Sequence, residues 1–310
     1  MTAVKNFRAF RGMTVRNLKV YGKDRIALLL SFLTQMIIFG LFLLFIKLSI
    51  VNEITDSLGE LKDALGKADI EAIVNSWLVA GIAGTSVVTA SLNALTVMVH
   101  DKMDRIDYDC KATSVRGRTV VFSYFSGATL SAFITSALLL TIGLAYIAVT
   151  GGFFFSAADI AALYATVMLG SVSGAMVLML FVSFFKKDST LSAFNILISV
   201  AIGFAVGAYM PISQFNENVQ TVVNLIPGSQ ITSLLRSTLM QPAIDNADKL
   251  LNGADGHAFA QHMRDLFSIK PYIFGNNVGT GFMLLYSFGV IALFTALNIL
   301  FYRLSSKRKE

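Results

Sequence analysis

WLVAGIAGTSVVTASLNALTVMV, residues Trp77–Val99, is the stretch that decides the fold class. It has no charged side chain over a length that matches a bilayer core, which a helix crosses in roughly 20 apolar residues. Small residues (Gly81, Ala83, Gly84, Ala90) are scattered along it. Five further runs share its character: Ile26–Ile46, Val120–Val149, Ile160–Phe185, Thr190–Met210 and Val278–Tyr302. Each is expected to be helical, because lipid offers no partner for backbone N–H and C=O groups. A β-barrel would show alternating segments of about ten residues, and these runs do not alternate. The expected class is an all-α membrane protein with six transmembrane helices. Composition agrees: 55% of residues are hydrophobic and only 14% charged, against about a quarter charged in soluble domains.

The bases set the orientation. Lys5, Arg8, Arg11, Arg16, Lys19, Lys23 and Arg25 precede the first span, and Lys102, Arg105, Lys111, Arg116 and Arg118 follow the second. Lys186 and Lys187 lie between the fourth and fifth, and Lys307, Arg308 and Lys309 close the chain. The loop after the first span is instead acidic, with Glu53, Asp56, Glu60, Asp63, Asp69 and Glu71. Basic clusters at every second boundary place both termini in the cytoplasm by the positive-inside rule. The expected location is the cytoplasmic membrane of a bacterium, crossed several times. The net charge of +6 then reflects topology and contact with an anionic lipid bilayer; no nucleic-acid partner is expected.

Three divisions follow: residues 1–25, a transmembrane domain over 26–302 with an external loop at 211–277, and a tail at 303–310. In the first, Val4, Phe7, Phe10, Thr14, Leu18 and Tyr21 share one side of a helix, with Lys5, Arg8, Arg16, Lys19 and Lys23 opposite. That is a basic amphipathic helix suited to the membrane interface. The first span has no small-residue cleavage site after it, so a cleaved signal peptide is not expected. Within 49–76, Ile54, Leu58, Leu61 and Leu65 recur at helical spacing among acids, predicting a short external amphipathic helix. In the external loop, Phe215–Ile226 and Ser229–Met240 are amphipathic runs too short to span, separated by Pro227–Gly228. They read as a re-entrant or surface hairpin. His257 and His262, five apart, fall off a common helical face and do not read as a metal pair. The lone cysteine, Cys110, excludes a disulfide within the chain.

Chemistry inside the spans is sparse. No ionisable side chain occupies a span interior, where proton and ion paths usually carry one. The neutral polar residues Thr34, Gln35, Asn93, Asn195 and Asn298 suit helix packing or substrate contact. HExxH, GxSxG and Walker A motifs are missing from the sequence, so neither hydrolysis nor nucleotide binding is expected of this chain. The loop from His100 to Arg118 mixes both charge signs along an apolar thread of Met103, Ile106 and Tyr108. It is either a solvated linker or a short helix presenting Lys102, Asp104, Arg105, Asp107 and Tyr108 to a cytoplasmic partner.

The order of these parts resembles the membrane permease subunit of type-2 ATP-binding-cassette (ABC) transporters, over nearly the whole chain. The resemblance rests on the basic lead-in to Ile26–Ile46 and on the charged loop running through Ser114-Val-Arg-Gly-Arg118 into a small-residue-rich third span. It rests also on Gly207-Ala-Tyr-Met-Pro211, followed by Asn224-Leu-Ile-Pro-Gly-Ser229 and Leu234-Leu-Arg236. It implies a transport subunit that is not an enzyme and binds no cofactor, with ATP hydrolysed by a separate ABC ATPase subunit. It also implies a second permease subunit, as a homo- or heterodimer. About Val4–Tyr21 would be the family's connecting helix and about Asp101–Lys111 its coupling helix. The first, second and fifth spans would line a cavity, making Gln35, Asn93 and Asn195 substrate contacts; interhelical hydrogen bonds within one subunit are the other reading. The chain departs from the pattern where aspartates replace the family's coupling-loop glutamate. The long external loop favours export of a drug, antibiotic peptide or lipid-like substrate. An ion-coupled secondary carrier and a non-transporting membrane scaffold remain as alternatives.

Overall fold

The computed structural model describes residues 3–58, 65–106, 115–251 and 255–307. Thirteen α-helices, a π-turn, a 3-10 turn (Ile212–Gln214) and one two-residue β-pair are described. In chain order these are α1 (Ala3–Lys23), α2 (Arg25–Leu41), a π-turn (Phe42–Ile46), α3 (Lys47–Ser57), α4 (Lys67–Ala94) and α5 (Thr96–Met103). Then come α6 (Gly117–Val149), α7 (Ala157–Val182), α8 (Asp188–Ala205), α9 (Glu217–Asn224) and α10 (Pro227–Leu239). Two short helices, α11 (Gln241–Leu251) and α12 (Ala258–Leu266), lead to β1 (Tyr272–Ile273), β2 (Asn276–Asn277) and the last helix, α13 (Thr280–Lys307). The strands pair antiparallel, Tyr272 with Asn277 and Ile273 with Asn276. Six helical segments are long and apolar enough to cross a membrane, as in a multi-pass membrane protein. The fold class is all-α.

The helix α4 is the axis. Its apolar window is 89% buried, whereas those of the other five segments are 17–50% buried. Helices α2, α3, α6, α7, α8, α10 and α11 all pack on it. A helix so enclosed must satisfy its own hydroxyls, and it does so by bonding back along its backbone. Ser76 donates to Ala72 O at 2.8 Å, Ser86 to Ala83 O at 2.8 Å and Ser91 to Val87 O at 2.7 Å. Glycine sets the closeness of approach. A Cβ added at Gly84 would stand 1.9 Å from Thr232 Oγ1 of α10, and one at Gly170 of α7 would stand 2.7 Å from Ile231 Cγ2.

Helix α10 is therefore interior: Gly228 through Arg236 are all buried. Its first turn lies against Val88, with a Cβ at Gly228 meeting Val88 Cγ2 at 3.0 Å. Val88 stands at the middle of the Trp77–Val99 run, so the α9–α10 junction lies beside the middle of that uncharged stretch. Pro227 begins α10, where a missing N–H costs nothing. Sequence spacing placed both short helices within two residues of their observed bounds.

Several boundaries differ from expectation. The expected external helix in 49–76 is, as far as Ser57, a continuation of the first span beyond a π-turn. Leu61 lies outside the described residues. The second span starts at Lys67, ten residues before Trp77. An ion pair explains both extensions: Lys47 Nζ meets Glu71 Oε2 at 2.7 Å and also donates to Tyr146 Oη at 3.3 Å. Each charge is neutralised by its neighbour, and Val51 and Ile54 join Ile70, Ile73 and Trp77 in one core. The fifth span ends at Ala205 rather than Met210. Gly207 takes φ +65°, and Ala208 and Tyr209 return their N–H groups to Gly203 O at 2.8 and 3.2 Å, a glycine-based helix stop.

The polar stretch after Met240 folds as α11 and α12. Their apolar faces, including Ile244, Ala247 and Met263, together with Phe267 just after α12, pack on the first half of α4, where the Trp77 and Phe267 rings stand 5.3 Å apart. Helix α1 packs on α6, but through a polar face: Thr14, Asn17 and Tyr21 are buried, while Phe7 is 66% exposed. The buried side is thus rotated from the one hydrophobicity alone selects.

Gly84→Ala should lower stability by about 1–3 kcal/mol through overpacking against Thr232, read as a lowered unfolding midpoint in detergent. Adding Thr232→Ala should restore part of the loss. An unchanged midpoint in the single variant would contradict the observed α4–α10 contact.

Candidate functional site

At Leu95 a single turn residue, still in the right-handed helical region, separates α4 from the short helix α5. Three consecutive α5 residues then tie it to four other helices. Asp101 is 3% exposed. Its carboxylate accepts Nη1 of Arg16, Nη2 of Arg16 at 2.7 Å and the Tyr124 hydroxyl at 2.5 Å. Arg16 belongs to α1 and Tyr124 to α6, so a single carboxylate joins three helices. A carboxylate removed from water requires such partners, and charge-assisted bonds are the strong kind. Arg16 Nη1 also reaches Asn17 Oδ1 at 3.1 Å.

His100 and Lys102 flank that node. His100 Nε2 stands 3.0 Å from Asp188 Oδ1 in the first turn of α8. Lys102 Nζ donates to Ser183 O at 3.0 Å, at the C-terminal end of α7, where a cation suits the helix dipole. Beyond the hub, Asp104 and Arg105 are exposed, and Arg105 has φ +60°, so the backbone turns outward there. Asp107 and Tyr108 lie outside the described residues, as do Cys110 and Lys111. Sequence reading selected the loop and Lys102. Asp101, Arg16 and Tyr124 were not among the residues the sequence singled out, since Asp101 is one of four aspartates in the loop.

The three candidate cavity residues sit elsewhere. Gln35 of α2 is buried, donating to Thr89 Oγ1 at 3.2 Å and accepting from Thr85 Oγ1 at 3.3 Å. Asn195 of α8 donates to Asn93 Oδ1 of α4 at 2.6 Å, and Ser199 donates to Asn195 Oδ1 at 3.2 Å. All three thus make interhelical hydrogen bonds. Asn93 and Asn195 are half-buried and keep an outward side; Gln35 does not. His257 pairs with Asp248 at 2.9 Å, which raises its proton affinity, while His262 is exposed.

Tyr21, on the buried face of α1, is pushed up to about 12 by burial and then by Asp24, so it remains a neutral phenol. Arg236 of α10 is fully enclosed, donating from Nη2 to Val206 O at 2.7 Å and Gly207 O at 2.6 Å. Searching only the long spans for ionisable groups passes over it, because α10 is too short to count as one.

No family model matches the chain, and neither the curated proteins nor the solved structures contain a match.

Arg16→Ala and Asp101→Ala should be strongly non-additive in unfolding measurements, with a coupling of about 1–3 kcal/mol. Tyr124→Phe should cost about 1 kcal/mol, the usual worth of one hydrogen bond. Additive losses would show that α1 is held by packing alone.

Proposed function

We propose that this chain is the membrane permease subunit of a two-component ABC transporter, working as a dimer and driven by a separate ABC ATPase subunit. The observation that carries the reading is the His100–Lys102 hub. A loop that only joins two spans needs no buried carboxylate shared by three helices. A loop that receives force does, because any displacement at Asp104 and Arg105 passes at once to α1, α6, α7 and α8. Rigid packed elements with fixed polar ties are how such displacements travel.

The rest of the reading follows from position. With the basic end in the cytoplasm, α1 is an interfacial helix whose outward side carries Phe7, Arg8, Arg11, Val15 and Lys19, a mixture suited to anionic headgroups. The α9–α10 pair is a re-entrant hairpin entering from the outside, since Gly228 meets Val88 half-way along the second span. Lys102, Asp104, Arg105, Asp107 and Tyr108 form the ATPase-coupling loop. Asn93 and Asn195, with an outward side at membrane depth, are better placed than Gln35 to meet a substrate or the second permease subunit. A drug, antibiotic peptide or lipid-like compound exported through neutral polar walls fits the spans. The proton-coupled carrier is disfavoured, because the carboxylates of the described spans lie within about a turn of their ends and Glu71 is paired with Lys47.

Affinity capture of the intact chain from its native membranes should bring down an ATP-hydrolysing subunit. Reversing charge with Asp104→Lys and Arg105→Glu should cut that capture by roughly tenfold, equivalent to about 1.4 kcal/mol, without lowering the amount inserted. Capture of no ATPase, or capture unchanged by reversal, would overturn the reading.

A further inference from the structure

Arg236 carries a full charge into the interior of the bundle. It is 0% exposed and forms no ion pair with any described carboxylate. Buried charges are normally paired or fully hydrogen-bonded, because water has been removed from them. A guanidinium has five N–H donors. Nη2 uses two, on Val206 O and Gly207 O at the end of α8. The carbonyls of a helix C-terminus supply about half a negative charge, which leaves part of the cation uncompensated. Nε and Nη1 have no partner within the described chain. The hydroxyl of Ser233 is also buried without a partner. Three residues before Arg236 on α10, it shares that side of the helix.

The surroundings are shaped to hold the guanidinium there. A Cβ added at Gly207 would stand 2.9 Å from Arg236 Nη2, so this glycine, at φ +65°, admits the arginine head. Ile212, fully buried, closes the same corner. Gly81, at the middle of α4, lies against Ala208 at this level, about 20 residues from the His100–Lys102 hub.

We propose that Arg236 and Ser233 form an anion-binding site within the bundle, taking a compact monoanion: chloride or a small carboxylate. Arg236 Nε and Nη1 and the Ser233 hydroxyl supply hydrogen donors around a fixed positive charge, a combination that selects anions over cations, and the unpartnered Gln230 Oε1 is an acceptor three residues before Ser233. Tight apolar packing excludes large or doubly charged oxyanions, whose dehydration would cost more. The bound anion completes the pairing of Arg236 and so fastens α10 to the end of α8. The site does not depend on whether an ATPase docks at that hub.

The test is equilibrium dialysis of the purified, full-length chain against radiolabelled chloride, and separately against radiolabelled formate, in bulky gluconate at constant ionic strength. Saturable binding near one anion per chain is expected for one or both probes, and the comparison tells a halide site from a carboxylate site. Arg236→Gln should abolish binding, and Ser233→Ala should weaken it about tenfold, the loss of one bond to an ion. The proposal is overturned if neither probe binds saturably, or if Arg236→Gln binds as tightly as wild type. Should Arg236→Gln fail to fold, Ser233→Ala decides instead, and an unchanged affinity in it overturns the site.

Discussion

Everything in this architecture depends on enclosing α4 while its backbone and its serine and threonine hydroxyls stay hydrogen-bonded. Where no water competes, each backbone and hydroxyl group must find a partner inside the protein. The serines of α4 solve this locally, by bonding one turn back. Its glycines then allow neighbours close enough to exclude voids: Gly84 admits Thr232, and Gly81 admits Ala208. Larger residues at these positions would push α10 outward, and with it the polar side chains that only an interior helix can shelter.

Two ends of the same axis carry different chemistry. Near its start, Lys47 and Glu71 neutralise one another, and the apolar faces of α11 and α12 close over Trp77. At its far end, past the turn residue Leu95, residues 100–102 gather four helices by ion pairs and hydrogen bonds. The segment from Lys67 to Met103 is 37 residues long, about 55 Å at the rise of an α-helix. That exceeds a bilayer core of about 30 Å. In the proposed transporter this segment is the lever between an ATPase and the substrate path.

Much of this was legible in the sequence, for stated physical reasons. The uncharged runs and basic clusters give six spanning helices, because burial in lipid forbids charge and open backbone alike. Pro227–Gly228 marks the hairpin, because proline opens a helix. What escaped were effects of pairing between distant residues. Lys47 and Glu71 look like loop charges until they meet, and together they lengthen two helices. Asp101 looks like one loop acid among several until Arg16 and Tyr124 close on it. For Gln35 the sequence left substrate contact and interhelical bonding open, and Thr85 and Thr89 engage both ends of its amide. The depth of α10 was left open between a re-entrant and a surface hairpin, because its polar residues suit either, and its glycine contacts with α4 and α7 place it inside.

That depth is the claim on which the account turns, and backbone hydrogen exchange in lipid nanodiscs measures it most directly. Amides of an enclosed helix open only with large-scale unfolding, whereas those of a surface hairpin open locally. Residues 229–236 are expected to exchange as slowly as residues 77–92 of α4, and far more slowly than α11 and α12. Exchange of α10 at the rate of α11 would place the hairpin on the surface and contradict the architecture described.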